Sequence, residues 1–145
     1  MVKPIPEGHR TITPFLNLKD CDKAIEFYKK AFGAEERERH NTPDGRVAHA
    51  ELQIGDSLVM LSEAMQAPPT QASLWLYVTD CDALWNRAVA AGAQIKMPLA
   101  DMFWGDRWGS LSDGFGNSWS IATHKEDVSP EELGKRAQAA MAQMK

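Results

Sequence analysis

The sequence predicts an α+β fold made of two βαβββ modules and a C-terminal helix. The main observation is an internal repeat, since Asp20-Cys21-Asp22 opens a helical pattern after an apolar run and Asp80-Cys81-Asp82 does the same sixty positions later. Gly33 and Gly92 close the two helical patterns. A repeat of this length predicts a pseudo-twofold arrangement in which equivalent surfaces flank any site. We therefore expect the strands to form a cupped, eight-stranded mixed sheet.

The first module spans about residues 10–63 and is predicted to begin with a strand and a helix. Alternating, β-rich residues occupy 11–18, and apolar residues at helical spacing follow over about 22–32, with Asp20 or Asp22 as the helix cap. A charged strand, the turn Pro43-Asp44-Gly45 and two further strands complete the βαβββ order.

The second module spans about residues 71–124, after a linker that contains Pro68-Pro69, and repeats the same order. We expect residues 1–128 to form a single domain. Ser129-Pro130-Glu131-Glu132 has the capping residues of a helix start, so a separate helix is predicted over 129–145. Its apolar positions form a narrow stripe that suits either its own chain or a second subunit: Leu133, Ala137, Ala140, Met141 and Met144.

Composition excludes two classes of partner. The 145 residues carry 16 Lys and Arg against 20 Asp and Glu, and the basic residues are interleaved with the acidic ones. Nucleic-acid binding needs a clustered basic surface, so we expect no such partner. No apolar run reaches the roughly 20 residues of a membrane-spanning helix, and Met1 to Arg10 lacks an apolar export signal. We expect a cytoplasmic protein, no membrane partner, and free thiols at Cys21 and Cys81.

Alternation places polar side chains on one face of each sheet. In the last strand, Trp119 suits the helix-packed side and Ser120 the opposite side. In the strand 46–54, the even-numbered residues from 48 to 54 suit the helix-packed side. The odd-numbered residues Val47, His49, Glu51 and Gln53 then face the other way. Two such polar faces would line a cavity of the kind that holds small molecules.

Three phrases of the sequence carry a family resemblance. They are Asp-x-x-x-Ala-x-x-Phe-Tyr-x-x-Ala-Phe-Gly-Ala-Glu at 20–35, Pro-Asp-Gly-Arg-Val-x-His-Ala-Glu-Leu at 43–52, and Met-Phe-Trp-Gly-Asp-Arg-Trp-Gly at 102–109. Together they resemble the vicinal oxygen chelate superfamily of glyoxalases, bleomycin resistance proteins and dioxygenases, and its PhnB-like branch in particular. The resemblance implies a homodimer with a small-molecule ligand in the cup between the modules.

The same resemblance implies four positions for a metal ion. Metal-dependent relatives place His, Gln or Glu at these positions, on the first and last strands of each module. The corresponding residues in this sequence are Thr13, Val59, Ser73 and Ser120. Hydroxyl and alkyl groups are poor ligands for Zn²⁺, Ni²⁺ or Fe²⁺. We therefore expect no metal ligands and no cofactor here.

His49 and Glu51 are the candidate catalytic residues. Residues two apart on a strand share a face, and a histidine beside a carboxylate can act as a general base or can anchor a polar ligand. The alternative is a hydrogen-bonded pair on a half-solvated strand. His9 and His40 are interpreted as exposed structural residues, and His124 as a residue that positions the C-terminal helix.

Trp104, Arg107 and Trp108 are candidate ligand-binding residues on a predicted hairpin. Two indole planes and a guanidinium suit a planar or anionic ligand. The alternative is a scaffolding role, in which Asp106 and Arg107 brace the turn and the indoles fill the core.

These observations favour a metal-free small-molecule-binding protein over two alternatives. The first alternative is a lyase or isomerase that uses His49 and Glu51 as acid and base or as non-standard metal ligands. The second is an interaction module that works through the C-terminal helix. The expected ligand-binding residues are Thr13, His49, Glu51, Val59, Ser73, Trp104, Arg107, Trp108 and Ser120.

Overall fold

A computed structural model describes residues 2–144, which form two four-stranded sheets and three helices. The predicted α+β class and the repeated βαβββ order are confirmed, and the eight strands divide between two separate sheets. The elements in chain order are β1 (Phe15–Leu18), α1 (Cys21–Phe32), β2 (Glu35–Asn41), β3 (Val47–Ile54), β4 (Ser57–Glu63), β5 (Ser73–Tyr77), α2 (Cys81–Ala90), β6 (Gln94–Asp101), β7 (Asp106–Ser112), β8 (Ser118–His124) and α3 (Pro130–Gln143).

The two sheets have equivalent topologies. Their strand orders are β1-β4-β3-β2 and β5-β8-β7-β6, with one parallel pair in each, β1 with β4 and β5 with β8. Phe15 lies opposite Met60 in the first parallel pair, and Trp75 lies opposite Ser120 in the second. Equivalent positions of these strands are therefore sixty residues apart.

One helix covers one face of each sheet and leaves the other face open. Helix α1 buries Ala24, Ile25, Tyr28, Ala31 and Phe32 at helical spacing, against core residues of the first sheet. The uncovered surfaces are called here the first open face, on β1–β4, and the second open face, on β5–β8.

The two helices are capped by different groups. Asp20 precedes α1 with a left-handed backbone, φ 57°, and its side chain makes no cap hydrogen bond. Instead the Glu63 carboxylate accepts from the backbone N–H of Asp20 at 3.0 Å and of Cys21 at 3.1 Å. In α2, the Asp80 side chain accepts from the Ala83 N–H at 3.1 Å. Asp20 therefore occupies the N-cap position, one of the two positions predicted, but its side chain does not supply the cap hydrogen bond.

The modules share one hydrophobic core on their helix sides. Helices α1 and α2 contact each other, and the Phe32 ring packs 4.7 Å from the Trp119 ring of β8. The buried Asp113 carboxylate accepts from the Tyr28 hydroxyl at 2.6 Å and from the Trp119 indole at 2.9 Å. Burial and the neighbouring Asp113 carboxylate raise the pKa of Tyr28, so its hydroxyl remains a donor.

The start of β3 departs from the predicted alternation. The register of its pairing with β2 shifts by one residue between His40 and Asn41. Because of this shift, the Val47 side chain points into the core and Ala48 is exposed. From His49 onward the expected faces are observed, with Ala50 and Leu52 buried and Glu51 on the open side. A β-bulge of this kind reverses the side-chain phase of the residues beyond it.

Helix α3 begins as predicted, since the Ser129 side chain accepts from the Glu132 N–H at 3.2 Å. None of its described residues is buried, and Met141 is 60% exposed. Arg136 holds the helix to the body of the chain through the Phe103 carbonyl, 3.2 Å away, and the Glu126 carboxylate.

Cys21 and Cys81 are free, buried thiols, and burial raises the pKa of Cys21 to about 12. Within residues 2–144, no helix has the length and apolar character needed to span a bilayer.

Candidate functional site

The first open face carries a cluster of histidines and carboxylates. His9 Nε2 lies 3.0 Å from one oxygen of Glu51, and His49 Nε2 lies 3.1 Å from the other oxygen. Glu38, His49 and Glu51 each place one potential ligand atom within 4.8 Å of the others. We call these four residues, His9, Glu38, His49 and Glu51, the His–Glu cluster.

His49 and Glu51 meet as the sequence predicts, but His9 is not the exposed structural residue expected. The side chains of His9 and Glu51 are only 11% and 16% exposed. The hydrogen bond from His49 lowers the pKa of Glu51, burial opposes this effect, and the bond from His9 lowers the pKa further. Glu51 is therefore held as a carboxylate.

Residues 4–13 cross the first open face and line an open pocket of about 590 Å³ beside the cluster. The pocket is lined by this N-terminal segment and by side chains of the first sheet, including Glu38, Glu51 and Met60. Thr13 also lines it and donates to the Arg10 carbonyl at 3.0 Å. No residue of the second module lines this pocket.

The second open face carries four aromatic side chains in mutual contact, Trp75, Tyr77, Trp104 and Trp108, which we call the aromatic platform. Trp75 stacks on Trp108 with ring centroids 5.7 Å apart and an interplanar angle of 18°. Trp104 lies 5.8 Å from Trp108 and 6.5 Å from Trp75, and Tyr77 lies 5.9 Å from Trp75. Trp75 is 44% exposed and Tyr77 63% exposed.

Asp106 holds two residues of the aromatic platform in place. Its buried carboxylate accepts from the Tyr77 hydroxyl at 2.8 Å, the Trp104 indole at 2.9 Å and His124 Nδ1 at 2.8 Å. Burial opposes ionisation of this carboxyl, but the bonds from His124, Tyr77 and Trp104 prevail and lower the pKa of Asp106. Two platform residues are thus anchored by one carboxylate, and His124 bonds to that carboxylate as well as to Asp127.

Serine side chains lie beside the platform. Ser120 pairs with both Trp75 and Ser110 across the sheet, and Ser110 and Ser120 are nearly buried. Ser73 is exposed at the start of β5. The buried Nε1 of Trp108 has no hydrogen-bond partner within residues 2–144, which leaves one donor unsatisfied.

Two predicted ligand-binding residues do not lie on an open face. Val59 belongs to the hydrophobic core, because Met60 and not Val59 is the equivalent of Ser120 in strand register. Arg107 alternates with Trp108 and so lies on the helix side of β7, where its Nε donates to Asp82 of α2 at 2.7 Å. The expected grip of Arg107 together with the two indoles is therefore not formed.

The positions where metal-dependent relatives hold an ion do not suit one. Thr13, Ser73 and Ser120 offer neutral hydroxyls, and the fourth position, corrected for register, holds the thioether of Met60. Zn²⁺ and Fe²⁺ are held by imidazole, thiolate and carboxylate groups. Imidazole and carboxylate groups occur instead in the His–Glu cluster, on β2, β3 and the N-terminal segment.

Comparison with known proteins identifies the family. The model of the glyoxalase/bleomycin resistance protein/dioxygenase superfamily matches residues 10–121, and the chain belongs to this superfamily. An uncharacterised protein of Mycobacterium bovis is 38% identical over 142 residues, with 90% of this chain and 91% of that protein covered.

Solved structures share the fold. TioX from Micromonospora sp. ML1 is 28% identical with a TM-score of 0.67, covering 78% of this chain and 98% of TioX. TnmS3, an antibiotic binding protein from Streptomyces sp. CB03234, is 22% identical with a TM-score of 0.63, covering 81% of this chain and all of TnmS3 (100%).

Sequence reasoning missed His9, Glu38, Met60, Trp75 and Tyr77 as open-face residues. The signal for Trp75 and Tyr77 is present in the sequence, because β5 alternates these aromatics with Leu74 and Leu76. No local sequence pattern predicts that His9 lies on the first open face, because its partner Glu51 is distant in sequence.

Proposed function

We propose that this protein binds a small, planar aromatic molecule on its second open face. The observation that carries the proposal is the stacking of the exposed Trp75 on the half-buried Trp108, flanked by Trp104 and Tyr77. Aromatic rings present a large apolar surface and favour offset stacking with other rings. An unidentified ligand of this class matches the shape and chemistry of the platform.

The platform is held ready for a ligand. Tyr77 and Trp104 are fixed by hydrogen bonds to Asp106, and Trp75 and Trp108 are fixed by stacking on each other. Side chains that are ordered before binding lose little entropy when a ligand arrives, which favours affinity. An exposed cluster of this kind is otherwise a solubility cost, so a binding role explains why it is present.

The surroundings of the platform define the polar part of the ligand. Asp106 already accepts three hydrogen bonds, so it has little capacity left to bind a cation. Lys96 Nζ donates to Ser118 Oγ at 2.8 Å on the same sheet, and the Ser120 hydroxyl lies beside Trp75. A ligand with oxygen substituents on an aromatic ring suits these donors.

A second copy of the chain would complete the site as a cup. Within one chain, the ring contacts of the platform all lie in the second module, and the pocket beside His9 is lined by the N-terminal segment and the first sheet. A homodimer in which unlike open faces meet would enclose a ligand between the platform and the first open face. Light scattering should give twice the chain mass, and a monomeric mass would remove this part of the proposal.

The family and fold support small-molecule binding as a class of function. The superfamily includes bleomycin resistance proteins, and TnmS3, which shares the fold, is an antibiotic binding protein. These likenesses do not specify the ligand of this chain. The specific argument comes from the aromatic platform.

A thermal-shift screen over planar aromatic metabolites and aromatic antibiotics tests the proposal. Binding compounds should raise the unfolding temperature, because a ligand that binds only the native state stabilises it. Trp75→Ala should weaken the binding of each compound by up to about tenfold, because an aromatic stacking contact contributes about 0.5–1.5 kcal/mol. Val89→Ala is the control, because Val89 is an exposed apolar residue of helix α2 and lies on the opposite side of the sheet from the platform. If no compound binds, or if both variants bind equally, the proposal fails.

A second candidate function is an acid–base lyase or isomerase reaction at His49. The hydrogen bond between His49 and Glu51 beside an open pocket favours it, since a carboxylate orients and strengthens a histidine base. Turnover of an oxygenated substrate that is lost in His49→Ala but retained in Trp75→Ala would favour this function over simple binding.

A further inference from the structure

We propose that the His–Glu cluster is a binding site for a divalent transition-metal ion such as Zn²⁺ or Co²⁺. The proposal goes beyond ligand binding at the aromatic platform and rests on different residues. It concerns side chains outside the four positions at which related metal-dependent proteins hold an ion.

The donor set has the composition of a transition-metal site. The imidazole of His49 and the carboxylates of Glu38 and Glu51 bring one potential ligand atom each to within 4.8 Å of one another. His9 lies just outside this group, with its Nε2 3.0 Å from the other oxygen of Glu51, and would join as a second imidazole donor by a side-chain rotation. Imidazole suits Zn²⁺, Co²⁺ and Ni²⁺, whereas Mg²⁺ and Ca²⁺ prefer ligand sets made entirely of oxygen. The cluster therefore selects a borderline metal over a hard one.

The spacing of these donors is close to that of a bound ion. Ligand atoms around a tetrahedral zinc ion lie about 3.4 Å apart, given bonds of about 2.1 Å. The two histidine nitrogens lie 3.0 and 3.1 Å from the Glu51 oxygens, and Glu38, His49 and Glu51 fall within 4.8 Å of one another. Small rotations of the side chains would place an ion among them.

The two carboxylates of the cluster would also be stabilised by a bound cation. Within residues 2–144, neither Glu38 nor Glu51 forms an ion pair with a Lys or Arg side chain, and their only ionic partners are histidines. Glu51 is mostly buried, and a buried carboxylate is stabilised by a nearby positive charge. A divalent ion would supply that charge to both carboxylates, with Glu38 turning from its 2.8 Å contact with His40.

Metal binding at this place would fasten the N-terminal segment to the first sheet. His9 is on the segment that lines the open pocket, whereas Glu38, His49 and Glu51 are on β2 and β3. An ion shared by these elements would hold residues 4–13 over the first open face. Its binding therefore has a structural readout that does not depend on any activity.

The test is a titration of untagged, chelator-treated protein with Zn²⁺ by calorimetry and with Co²⁺ by visible absorption. We expect one ion per chain. His9→Ala, His49→Ala and Glu51→Gln should each lower the affinity by at least about 100-fold, the upper end of the effect of losing an outer-sphere partner. Circular dichroism confirms that each variant is folded.

His124→Gln is the matched control. His124 also lies between two carboxylates, 2.8 Å from Asp106 and 2.7 Å from Asp127, but it is outside the His–Glu cluster. This variant should bind Zn²⁺ with the affinity of the parent protein. Zn²⁺ should also slow proteolysis within residues 4–13 of the parent and of His124→Gln, but not of His9→Ala.

Two results would overturn the proposal. One is a folded parent protein that binds neither Zn²⁺ nor Co²⁺ at one ion per chain. The other is stoichiometric binding that His9→Ala and His49→Ala leave as strong as His124→Gln does. Either result leaves the aromatic platform unaffected, so this test and the ligand screen can fail independently.

Discussion

The two modules have the same strand order and the same register in their parallel pairs, but their open faces differ in chemistry. Phe15 and Trp75 are equivalent and similarly exposed, at 45% and 44%. Around Phe15, the first face carries histidines and carboxylates, whereas around Trp75 the second face carries indoles and serines. One scaffold thus presents two unlike surfaces.

The difference is possible because each sheet uses only one face for folding. Leu52 and Leu61 in the first sheet, and Leu111 and Ile121 in the second, point into the shared core. Core residues are constrained by volume and by burial, whereas open-face residues are free of both constraints. Chemistry can therefore diverge between the modules without changing the fold.

The largest expected effect concerns Asp113 of the second module, which accepts a hydrogen bond from Tyr28 of the first module. Asp113→Ala removes the acceptor for the Tyr28 hydroxyl, the Trp119 indole and two backbone N–H groups, so we expect a loss of about 3–5 kcal/mol of unfolding free energy. Tyr28→Phe removes one of these bonds and should cost about 1 kcal/mol. Urea denaturation measures both, and equal losses would contradict a central role for Asp113.

A smaller effect separates the two helix caps. Glu63→Ala leaves the N–H groups of Asp20 and Cys21 without their acceptor and should cost about 1–2 kcal/mol. Thr123→Ala removes the acceptor for the Cys81 N–H, but Asp80 still caps α2, so the loss should be smaller, about 1 kcal/mol. A larger loss in Thr123→Ala would show that the two caps are misassigned.

Glycine substitutions at the two N-cap positions, Asp20 and Asp80, should change the unfolding free energy by a still smaller amount and in opposite directions. Asp20 has a left-handed backbone and no cap bond, so Asp20→Gly should raise the unfolding free energy by about 0.5 kcal/mol. Asp80 has φ −134° and caps α2, so Asp80→Gly should lower the unfolding free energy by a few tenths. Thermal unfolding of both variants checks the signs, and a destabilised Asp20→Gly would refute the strain at Asp20.

The smallest expected effect is a pH dependence of stability that arises from His124 in the second module. The Asp106 carboxylate, and then Asp127, raise the pKa of His124. A raised pKa stabilises the native state fully below the ordinary pKa of 6.5, and this contribution is lost as pH rises through the folded value. The stability difference between the parent and His124→Gln should therefore shrink from pH 6 to pH 9. A difference that grows over this range would contradict the contact.

The fold was predictable from the sequence because its signals are local. Helical spacing from Ala24 to Phe32, the glycines after α1 and α2, and the turn at Pro43-Asp44-Gly45 each act over a few residues. The repeat then supplied the second module from the first. The bulge before His49 broke the alternation predicted for β3.

The site was predictable only in part, because its geometry depends on register and on long-range contacts. A one-residue difference in offset between the modules placed Val59, and not Met60, at the open position. Arg107 was grouped with its neighbours in sequence, although alternation sends it to the opposite face of β7. The contact of His9 with Glu51 joins residues 42 positions apart, and no periodicity encodes it.

The five tryptophans provide the most direct measurement of the central claim, that the second open face binds the ligand. Trp75, Trp104 and Trp108 form the platform, whereas Trp85 and Trp119 are buried in the core. Nuclear magnetic resonance of the indole N–H groups should show the three platform signals shifting on titration with the strongest compound from the screen, while the two core signals stay in place. Shifts confined to the core indoles, or no shift of the platform indoles on binding, would contradict the claim.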